Sequence, residues 1–483
     1  MIFKNLIIVV PLFAISILVG SCRKLVEVST PATSITGTSA YNSDATSIAV
    51  LTGLYEKIST GSTNSAGKIP SLTLYTGLSS DELTLWSGST NVKAIAYYKN
   101  ALTAGSTGYG SEFWIGVYPY IFSCNAAIEG LTGSNSLTPV VKQQLLGEAM
   151  FMRAFYYFYL INLYGNIPLP LGSDYKINAT LAPVSVSLAY KQVIADLQKA
   201  ESLLSTVYLD ATLQNSSAER VRPTKWAAAA LLARVYLYNQ NWAAAESQAD
   251  SVIGNTNLFQ LSSLKSTFLK ASLGNNEAIW QLQPVNTNWN TEDAKVFIMS
   301  STGPGKSLNF GAYLSNNLLN SFEAGDQRRF NRNWIDSIKS GGAIYYFPYK
   351  YKINTSGAPV NEYLMMLRLG ELYLVRAEAR AQQGNTMGAA SDLNSIRNRA
   401  GLGNTSESTQ EGLIANILHE KQVELFAELG QRWLELKRTG SVNTIMAIVT
   451  SQKGGTWQNY QQLYPVWVPD IQADPNLKQN TGY

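Results

Sequence analysis

The chain has 483 residues and a formal net charge of +4, from 37 basic and 33 acidic side chains. Charged residues make up only 14% of it, so the polar surface comes largely from Ser, Thr, Asn, Gln and Tyr. The sequence contains no basic stripe, which makes nucleic acid an unlikely partner. Two cysteines and one histidine exclude a disulfide scaffold, a cysteine-based zinc site and a multi-histidine centre, and we expect neither a metal nor a cofactor.

The chain opens with a targeting segment. Residues 6–19 are almost wholly apolar, at the length of a signal-peptide core and too short for a membrane span. The run Leu-Val-Gly-Ser-Cys that ends at Cys22 resembles a bacterial lipobox, whose cysteine thiol is acylated and becomes the new N-terminus. We predict a lipoprotein signal peptide at 1–21, lipidation at Cys22 and a lipidated tether at 22–40. The alternative is an ordinary signal peptide followed by an incidental cysteine.

The remaining residues, 41–483, predict one mostly α-helical domain with long loops and a few short strands. Apolar residues recur at helical spacing mainly over 44–254 and 365–430. No stretch in them is long and apolar enough to predict a membrane-spanning helix. Residues 255–360 break the pattern and form a loop- and strand-rich insert, and residues 457–483 are predicted to be irregular.

Two pairs of segments are rich in alanine among large apolar residues, at 225–253 and at 371–399. Small residues let two helices approach closely, as in tetratricopeptide-type hairpins. We therefore predict a scaffold of tetratricopeptide-like helical pairs, the alternative being generic hairpins. Within the insert, residues 277–282 and 344–347 are strand candidates, whereas residues 87–110 are predicted to form a long loop.

Four motifs follow one another in a fixed order. They are Gly-Glu-Ala through Arg-Ala-Phe-Tyr-Tyr to Leu-Tyr-Gly and Ile-Pro-Leu (147–169), Arg-Leu through Ala-Glu-Ala to Leu-Asn-Ser-Ile-Arg-Asn-Arg-Ala-Gly-Leu (368–402), Glu-Leu-Phe to Arg-Trp-Leu-Glu-Leu-Lys-Arg (424–438, with 417–420 before it), and the terminal Asn-Leu-Lys-Gln-Asn-Thr-Gly-Tyr (476–483). Together they resemble the SusD/RagB family of outer-membrane nutrient-binding lipoproteins. One departure is Trp467, where family members usually carry a proline.

The resemblance implies a single helical domain with four tetratricopeptide-like pairs and a ligand-facing half of loops and small strands. It implies a lipid-anchored protein at the outer membrane, facing the cell exterior on a TonB-dependent transporter barrel of the SusC type. It also implies capture of an oligosaccharide, or less often a peptide, and no catalysis. In the family the early loop commonly contributes glycan contacts, which here carries over to Trp86 and Asn91.

Sugar binding also has an independent physical basis in two loops. Aromatic rings stack on the C–H faces of sugars, and neighbouring amides bond the hydroxyls. One loop carries Trp86 and Asn91 and continues to Tyr98, and the other carries Trp289 and Asn290. The alternative for each tryptophan is a small core under its loop. The tryptophans in periodic segments are predicted to be core residues: Trp114, Trp226, Trp280 and Trp433.

Three alternatives to glycan capture and delivery stay open: the same fold capturing peptides, a tetratricopeptide scaffold that binds only proteins, and an enzyme. Against an enzyme, no nucleophile, zinc-protease or phosphate-loop motif is present. The carboxylate pairs 81–82 and 292–293 have no predicted position across a cleft, and His419 is predicted to lie on a helix surface. Six charged residues in apolar helical segments are predicted to form structural ion pairs: Arg153, Glu378, Arg397, Arg399, Arg432 and Arg438.

Overall fold

Helices dominate the structure, a computed structural model that describes residues 39–59, 69–105, 108–285, 288–305 and 311–483. The predicted signal peptide, Cys22 and nearly all of the tether lie outside these residues. The helices are α1 Asp44–Ser59, α2 Ile69–Ser79, α3 Val92–Tyr98, α4 Glu112–Gly133, α5 Pro139–Tyr164, α6 Tyr175–Asn178, α7 Val186–Leu203, α8 Lys225–Tyr238, α9 Trp242–Ile253, α10 Glu292–Phe297, α11 Asn316–Leu319, α12 Leu369–Gln382, α13 Thr386–Arg399, α14 Gln410–Glu424, α15 Gln431–Arg438, α16 Val442–Gln452 and α17 Val468–Ala473. The strands are β1 Leu83–Leu85, β2 Ala278–Leu282, β3 Ala312–Leu314, β4 Ile335–Ser340, β5 Ala343–Pro348 and β6 Leu364–Arg368.

The long helices pack side by side in one continuous row. In this row α4 packs on α5, α5 on α7, α7 on α8, α8 on α9, α9 on α12 and α12 on α13, and α14 covers α12 and α13. The two predicted hairpins are α8–α9 and α12–α13, and most of their alanines are buried. The predicted fold class, a mostly helical scaffold with a few short strands, is confirmed.

The insert leaves the row after α9 and returns at α12, so two helices that are distant in sequence are neighbours in space. Charged side chains join them across this seam. Arg376 contacts Asp250 at 2.6 Å and Asp392 at 2.6 Å, and Arg380 contacts Glu246 at 2.8 Å. The seam therefore combines small-residue packing with ion pairs that are only partly exposed.

A buried ionic network joins the insert to the scaffold. Arg368, 1% exposed, contacts Glu277 at 2.9 Å, Glu424 at 2.6 Å and Glu428 at 2.8 Å. Burial by itself would raise the pKa of Glu424, but Arg399, Arg368 and Arg328 hold it well below its ordinary value. Glu424 is therefore ionised, and its charge is balanced inside the protein.

The same network continues through Arg328, whose side chain is fully buried. Its guanidinium contacts Asp326 at 2.7 Å, Glu420 at 2.6 Å and Glu424 at 2.9 Å. Because Asp326 belongs to the insert and the two glutamates to α14, these contacts fix the insert against the scaffold.

The six predicted structural charges are all in ion pairs. The pairs are Arg153–Asp196, Arg397–Glu323, Arg399–Glu277, Arg432–Asp81 and Arg438–Glu378. The ring of His419 on α14 contacts the carbonyl oxygen of Ser321 through Nε2 at 2.7 Å and is half-buried rather than freely exposed.

Large aromatic residues form the centre of the core. Trp280 on β2 is fully buried and meets Phe151 and Phe155 of α5 edge to face, at 5.0 and 5.6 Å between ring centroids. Three of the four tryptophans predicted as core are at most 1% exposed, whereas Trp226 is half-buried. Aromatic packing thus extends from the helical row to the strands of the insert.

Outside the row of helices, the described strands form three two-stranded antiparallel sheets: β1–β3, β2–β6 and β4–β5. The two strand candidates of the insert are confirmed as β2 and β5. The predicted loop at 87–110 instead contains the short helix α3, and the irregular C-terminal segment contains α17. Within the described ranges, none of the helices is both long and apolar enough to cross a membrane.

Candidate functional site

The candidate site begins on the outer face of the β1–β3 pair. Thr84 of β1 lies opposite Tyr313 of β3, and both are partly exposed while their strand neighbours are buried. Because side chains alternate along a strand, Trp86 emerges on the same face as Thr84. The backbone N–H of Trp86 donates to the carbonyl oxygen of Gly311 at 2.7 Å, which continues the pairing to this residue.

A tight turn holds the indole of Trp86 against the backbone. The N–H of Ser89 donates to the carbonyl oxygen of Trp86 at 2.9 Å, and the indole lies directly over Gly88. A β-carbon at position 88 would come within 2.5–2.8 Å of three ring atoms, so this approach requires glycine. Trp86 is half-buried. The turn thus supports the ring from one side and leaves part of it open to solvent.

The short helix α3 places Tyr98 beside this face. The Oδ1 atom of Asn91 accepts from the N–H of Ala94 at 2.9 Å and caps the start of the helix. Burial raises the pKa of Tyr98, and a hydrogen bond with Thr84 partly offsets this shift. Asn91 therefore positions α3, which in turn carries Tyr98 to the outer face of β1.

Two further tyrosines extend the aromatic surface. Tyr313 and Tyr345 meet edge to face, with ring centroids 5.1 Å apart. Burial raises the pKa of Tyr313, and the nearby hydroxyls of Tyr98 and Tyr345 raise it further. We call Trp86, Tyr98, Tyr313 and Tyr345 the aromatic face. Sequence reasoning missed Tyr313 and Tyr345, because only the β1–β3 and β3–β5 contacts bring them here.

A cleft of about 360 Å³ adjoins the aromatic face at Tyr98. It is lined mainly by amide and hydroxyl side chains, and we call it the amide cleft. Its lining residues are Asp81, Thr84, Tyr98, Ser315, Asn316, Asn317, Val449, Gln452 and Lys453. Asn317 donates from Nδ2 to Oε1 of Gln452 at 3.5 Å, so residues 135 positions apart meet at the cleft.

The two charged residues of the amide cleft already have partners. Asp81 accepts two hydrogen bonds from the guanidinium of Arg432, at 2.8 and 2.7 Å. The ammonium of Lys453 donates to the carbonyl oxygens of Leu78, at 2.7 Å, and of Ser80, and burial lowers its pKa to about 7. The cleft therefore offers neutral hydrogen-bonding groups rather than unpaired charge.

The second predicted loop is different. Trp289 is half-buried, and the ammonium of Lys295 lies 5.6 Å from its ring centroid. Asn290 is 1% exposed, and its Oδ1 accepts from the backbone N–H groups of Asn361 at 2.7 Å and Glu362 at 2.9 Å. The expectation that Asn290 contacts a ligand is therefore corrected: its amide ties two backbone segments together inside the protein.

The structure does not join Trp289 to the aromatic face through a ring contact; among the described aromatic pairs it has none, and neither has Trp86. Residues 286–287 of its loop lie outside the described ranges. Trp86 thus follows β1, Tyr98 ends the helix α3 that packs on β1, and Asn91 caps the start of α3, whereas Trp289 is left as a separate candidate.

Three of the four carboxylates in the pairs 81–82 and 292–293 are buried, and Glu292 is partly exposed. Burial raises the pKa of Glu82 to about 8, with a further rise from Asp81, and burial raises that of Asp293 to about 8. Both side chains are at most 5% exposed. Of the four carboxylates only Asp81 lines the amide cleft, where it is paired with Arg432, and Glu82 and Asp293 are not placed to reach a ligand there.

The row of helices supports the aromatic face and the amide cleft, which are formed largely by loops and short elements. This arrangement is typical of a class of binding proteins. Rigid scaffolds commonly present ligand sites in this way. Two family models match, one described as starch-binding associating with outer membrane over residues 39–237, and the SusD family model over residues 269–483. The chain belongs to the SusD/RagB family.

Individual relatives agree with this assignment. A SusD-like protein P25 of Formosa agariphila is 23% identical over 436 residues, covering 77% of this chain and 80% of the relative. A SusD superfamily crystal structure from Bacteroides vulgatus superposes with a TM-score of 0.76 at 20% identity, covering 91% of this chain and 99% of the other. A laminarin-binding SusD-like protein superposes with a TM-score of 0.72 at 21% identity, covering 90% and 99%.

Proposed function

We propose that this protein is a cell-surface glycan-binding lipoprotein that captures oligosaccharides and delivers them to a SusC-like TonB-dependent transporter of the outer membrane. The aromatic face beside the amide cleft carries this proposal. Sugar rings present apolar C–H faces and a rim of hydroxyls, and this site offers rings next to neutral amides. Family membership and the laminarin-binding relative support a saccharide ligand.

The state of the charges favours a glycan over a peptide. A peptide ligand carries ammonium and carboxylate groups, which need unpaired partners of opposite charge in the site. In the amide cleft Asp81 is already paired with Arg432, and Lys453 is bound by backbone carbonyls. Asn316, Asn317 and Gln452 remain as the groups suited to neutral hydroxyls.

Delivery follows from the anchor. A lipid anchor at Cys22 would hold the chain at the membrane surface without carrying a ligand across it, because an anchor does not form a pore. A transporter barrel as partner supplies the route, with this chain at the outer surface of the membrane above it. Purification in mild detergent should recover a large barrel protein with the full chain, and repeated recovery of the chain alone would contradict a stable complex.

Binding is tested with the purified full chain in detergent on native gels that contain starch, laminarin or no polysaccharide. We expect retardation by at least one glucan, and we expect Gln452→Ala to weaken it by removing an amide of the cleft. Gln410→Ala is the matched control, since Gln410 is an exposed amide on α14 away from the cleft. Asn316→Ala removes a second amide of the cleft. If Gln452→Ala and Asn316→Ala are both folded and are both retarded as strongly as the unchanged protein, the ligand binds elsewhere.

A further inference from the structure

Lys453 joins three elements of the candidate site. It directly follows α16 and lines the amide cleft, and it is buried, at 8% exposure. Its ammonium donates to the carbonyl oxygens of Leu78, at 2.7 Å, and of Ser80. The same ammonium lies 5.1 Å from the ring centroid of Tyr98. One side chain therefore connects the end of α16 to the end of α2 and to the last residue of α3.

The two carbonyl groups belong to the end of α2, where a helix leaves its last carbonyls without partners of its own. A cation is favoured at this end of a helix, because the helix dipole is negative there. Asn100 donates from Nδ2 to the carbonyl oxygen of Ser79 at 3.2 Å and to Oγ1 of Thr450 on α16 at 2.9 Å. The three successive carbonyls 78–80 are thus all bound by side chains.

The chain runs from this capped end directly into the aromatic face. Strand β1 starts three residues after Ser80 and leads to Thr84 and Trp86. The backbone N–H of Ser315 donates to the carbonyl oxygen of Glu82 at 2.8 Å and holds the same segment from its other side. A displacement of Ser80 would therefore move the start of the strand that carries the face.

The contact between Lys453 and Tyr98 has the geometry of a cation–π interaction, because the ammonium lies within about 6 Å of the ring centroid. Tyr98 also shares a hydrogen bond with Thr84 of β1. The hydroxyl and the ring of Tyr98 are thus held by two different elements. A side chain that is fixed before its ligand arrives loses less conformational entropy on binding.

Lys453 changes its charge near neutral pH. Burial lowers the pKa of its ammonium to about 7, and the negative charge of Asp81 opposes this shift. Asp81 is paired with Arg432 of α15, and Lys453 itself belongs to no ion pair among the described residues. Around pH 7 the protein therefore contains both the cation and the neutral amine.

Two further charged groups lie on the segments around Lys453. The ammonium of Lys99, which follows α3, lies close to Gly454. Glu82 also titrates near neutral pH, because burial raises its pKa to about 8. Its carboxylate accepts from the backbone N–H of Ala427 at 3.4 Å and does not line the amide cleft. Titration of Glu82 must therefore be separated from that of Lys453 by substitution.

We infer, on the basis of the proposed function, that Lys453 is a positioning residue of the glycan site: its ammonium holds Tyr98 and the end of α2 in the arrangement that presents the aromatic face to the ligand. A neutral amine has no cation–π contact with the ring and binds the carbonyls less strongly. A contact of this kind is worth about 5-fold in affinity. The dissociation constant of a glucan should therefore rise about 3-fold from pH 6 to pH 8, as most of the cation is lost.

The first measurement follows Tyr98 itself in the full chain in detergent, without a ligand. With 3-fluorotyrosine at position 98, the fluorine chemical shift should titrate with a midpoint near pH 7. Lys453→Met and Lys453→Arg should both lack this titration, because methionine has no charge and arginine keeps its charge. Absence of the titration in the unchanged protein would overturn the inference. So would a titration that persists in Lys453→Met, which would belong to Glu82 or to the label.

The second measurement is isothermal titration with soluble starch and with laminarin at pH 6 and pH 8. Lys453→Met should bind about 5-fold more weakly than the unchanged protein at pH 6, and neither Lys453→Met nor Lys453→Arg should change its affinity with pH. Lys225→Met is the matched control, because the ammonium of Lys225 lies 5.0 Å from the ring centroid of Trp226 on α8, outside the site. It should keep both the affinity and the pH dependence of the unchanged protein.

An unchanged protein that binds a glucan equally well at pH 6 and pH 8 would overturn the inference. Absence of binding to both glucans in every variant and at both pH values would instead refute the proposed glycan function, and the fluorine label would still show whether Lys453 holds Tyr98. Circular dichroism and melting temperature, recorded for each variant at each pH, separate a change in affinity from unfolding.

Discussion

Replacing Trp86 with alanine tests the aromatic face directly. A sugar ring that stacks on the open part of the indole covers about 80 Å² of apolar surface, worth about 2 kcal/mol at 25 cal/mol per Å². The dissociation constant of a bound glucan should then rise by about 30-fold. Stability should change little, because part of Trp86 is exposed and its ring rests on Gly88 rather than in the core.

Isothermal titration and thermal melting on the same sample measure the two effects separately. Tyr175→Ala is the control for binding, since it removes an exposed aromatic ring outside the site. Trp280→Ala is the control for stability, because truncation of a fully buried tryptophan should cost about 3–5 kcal/mol.

Gly88→Ala offers a finer perturbation of the same ring. The added methyl group displaces the indole from its support, so affinity should fall while the indole itself is retained. If Trp86→Ala lowers the melting temperature sharply and leaves glucan affinity intact, the indole is a structural residue and the aromatic face is wrongly assigned.

Three further predictions concern the ionic network, pH and the anchor. Arg368→Met leaves buried Glu424 without a main partner and should lower the free energy of unfolding by about 3–5 kcal/mol, measured by urea denaturation; a loss below 1 kcal/mol would contradict the network's role. Because burial raises the folded-state pKa of Glu82 to about 8, above its value of 4.5 when unfolded, the folded protein holds more protons between these values, and stability falls as pH rises from about 5 to 8. Glu82→Gln should therefore gain on the wild type across this range by up to about 1.4 kcal/mol per pH unit, and equal slopes for both proteins would refute the shift. Cys22→Ser should leave the protein unprocessed or soluble, and a variant that still partitions with the membrane fraction would show that the anchor lies elsewhere.

Periodicity and small-residue patterns in the sequence were sufficient to predict the helical hairpins, because those signals are local. The neighbouring arrangement of α9 and α12 was not predictable in this way, since the pairing of Arg376 with Asp250 joins residues 126 positions apart. Helix α3 was missed because seven residues in a Gly- and Ser-rich region give too short a pattern.

In the candidate site, too, residues with a local sequence signal were predicted, and residues brought together only by folding were not. Trp86 and Tyr98 were proposed from a loop composition typical of ligand sites, and they stay predictions. Asn290 has the same kind of neighbours, but its amide satisfies buried backbone groups, which composition does not reveal. Asn317 and Gln452 gave no signal, because only the folded chain brings them to one cleft.

The packing of α9 against α12 separates the arrangement of the helical row from the length and sequence of the loops in the insert. Because both ends of the insert emerge from neighbouring helices, the scaffold closes the same way whatever lies between them. The entropic cost of closing such a loop grows slowly, by about 0.6 kcal/mol for each doubling of its length. The exposed loops within residues 255–360 can therefore change in length and sequence at little cost to the helical row, provided that the buried residues of the insert, such as Trp280, and the charges joining it to α14 persist. The architecture can thus stay constant while the sequence diverges, as the TM-score of 0.76 at 20% identity illustrates.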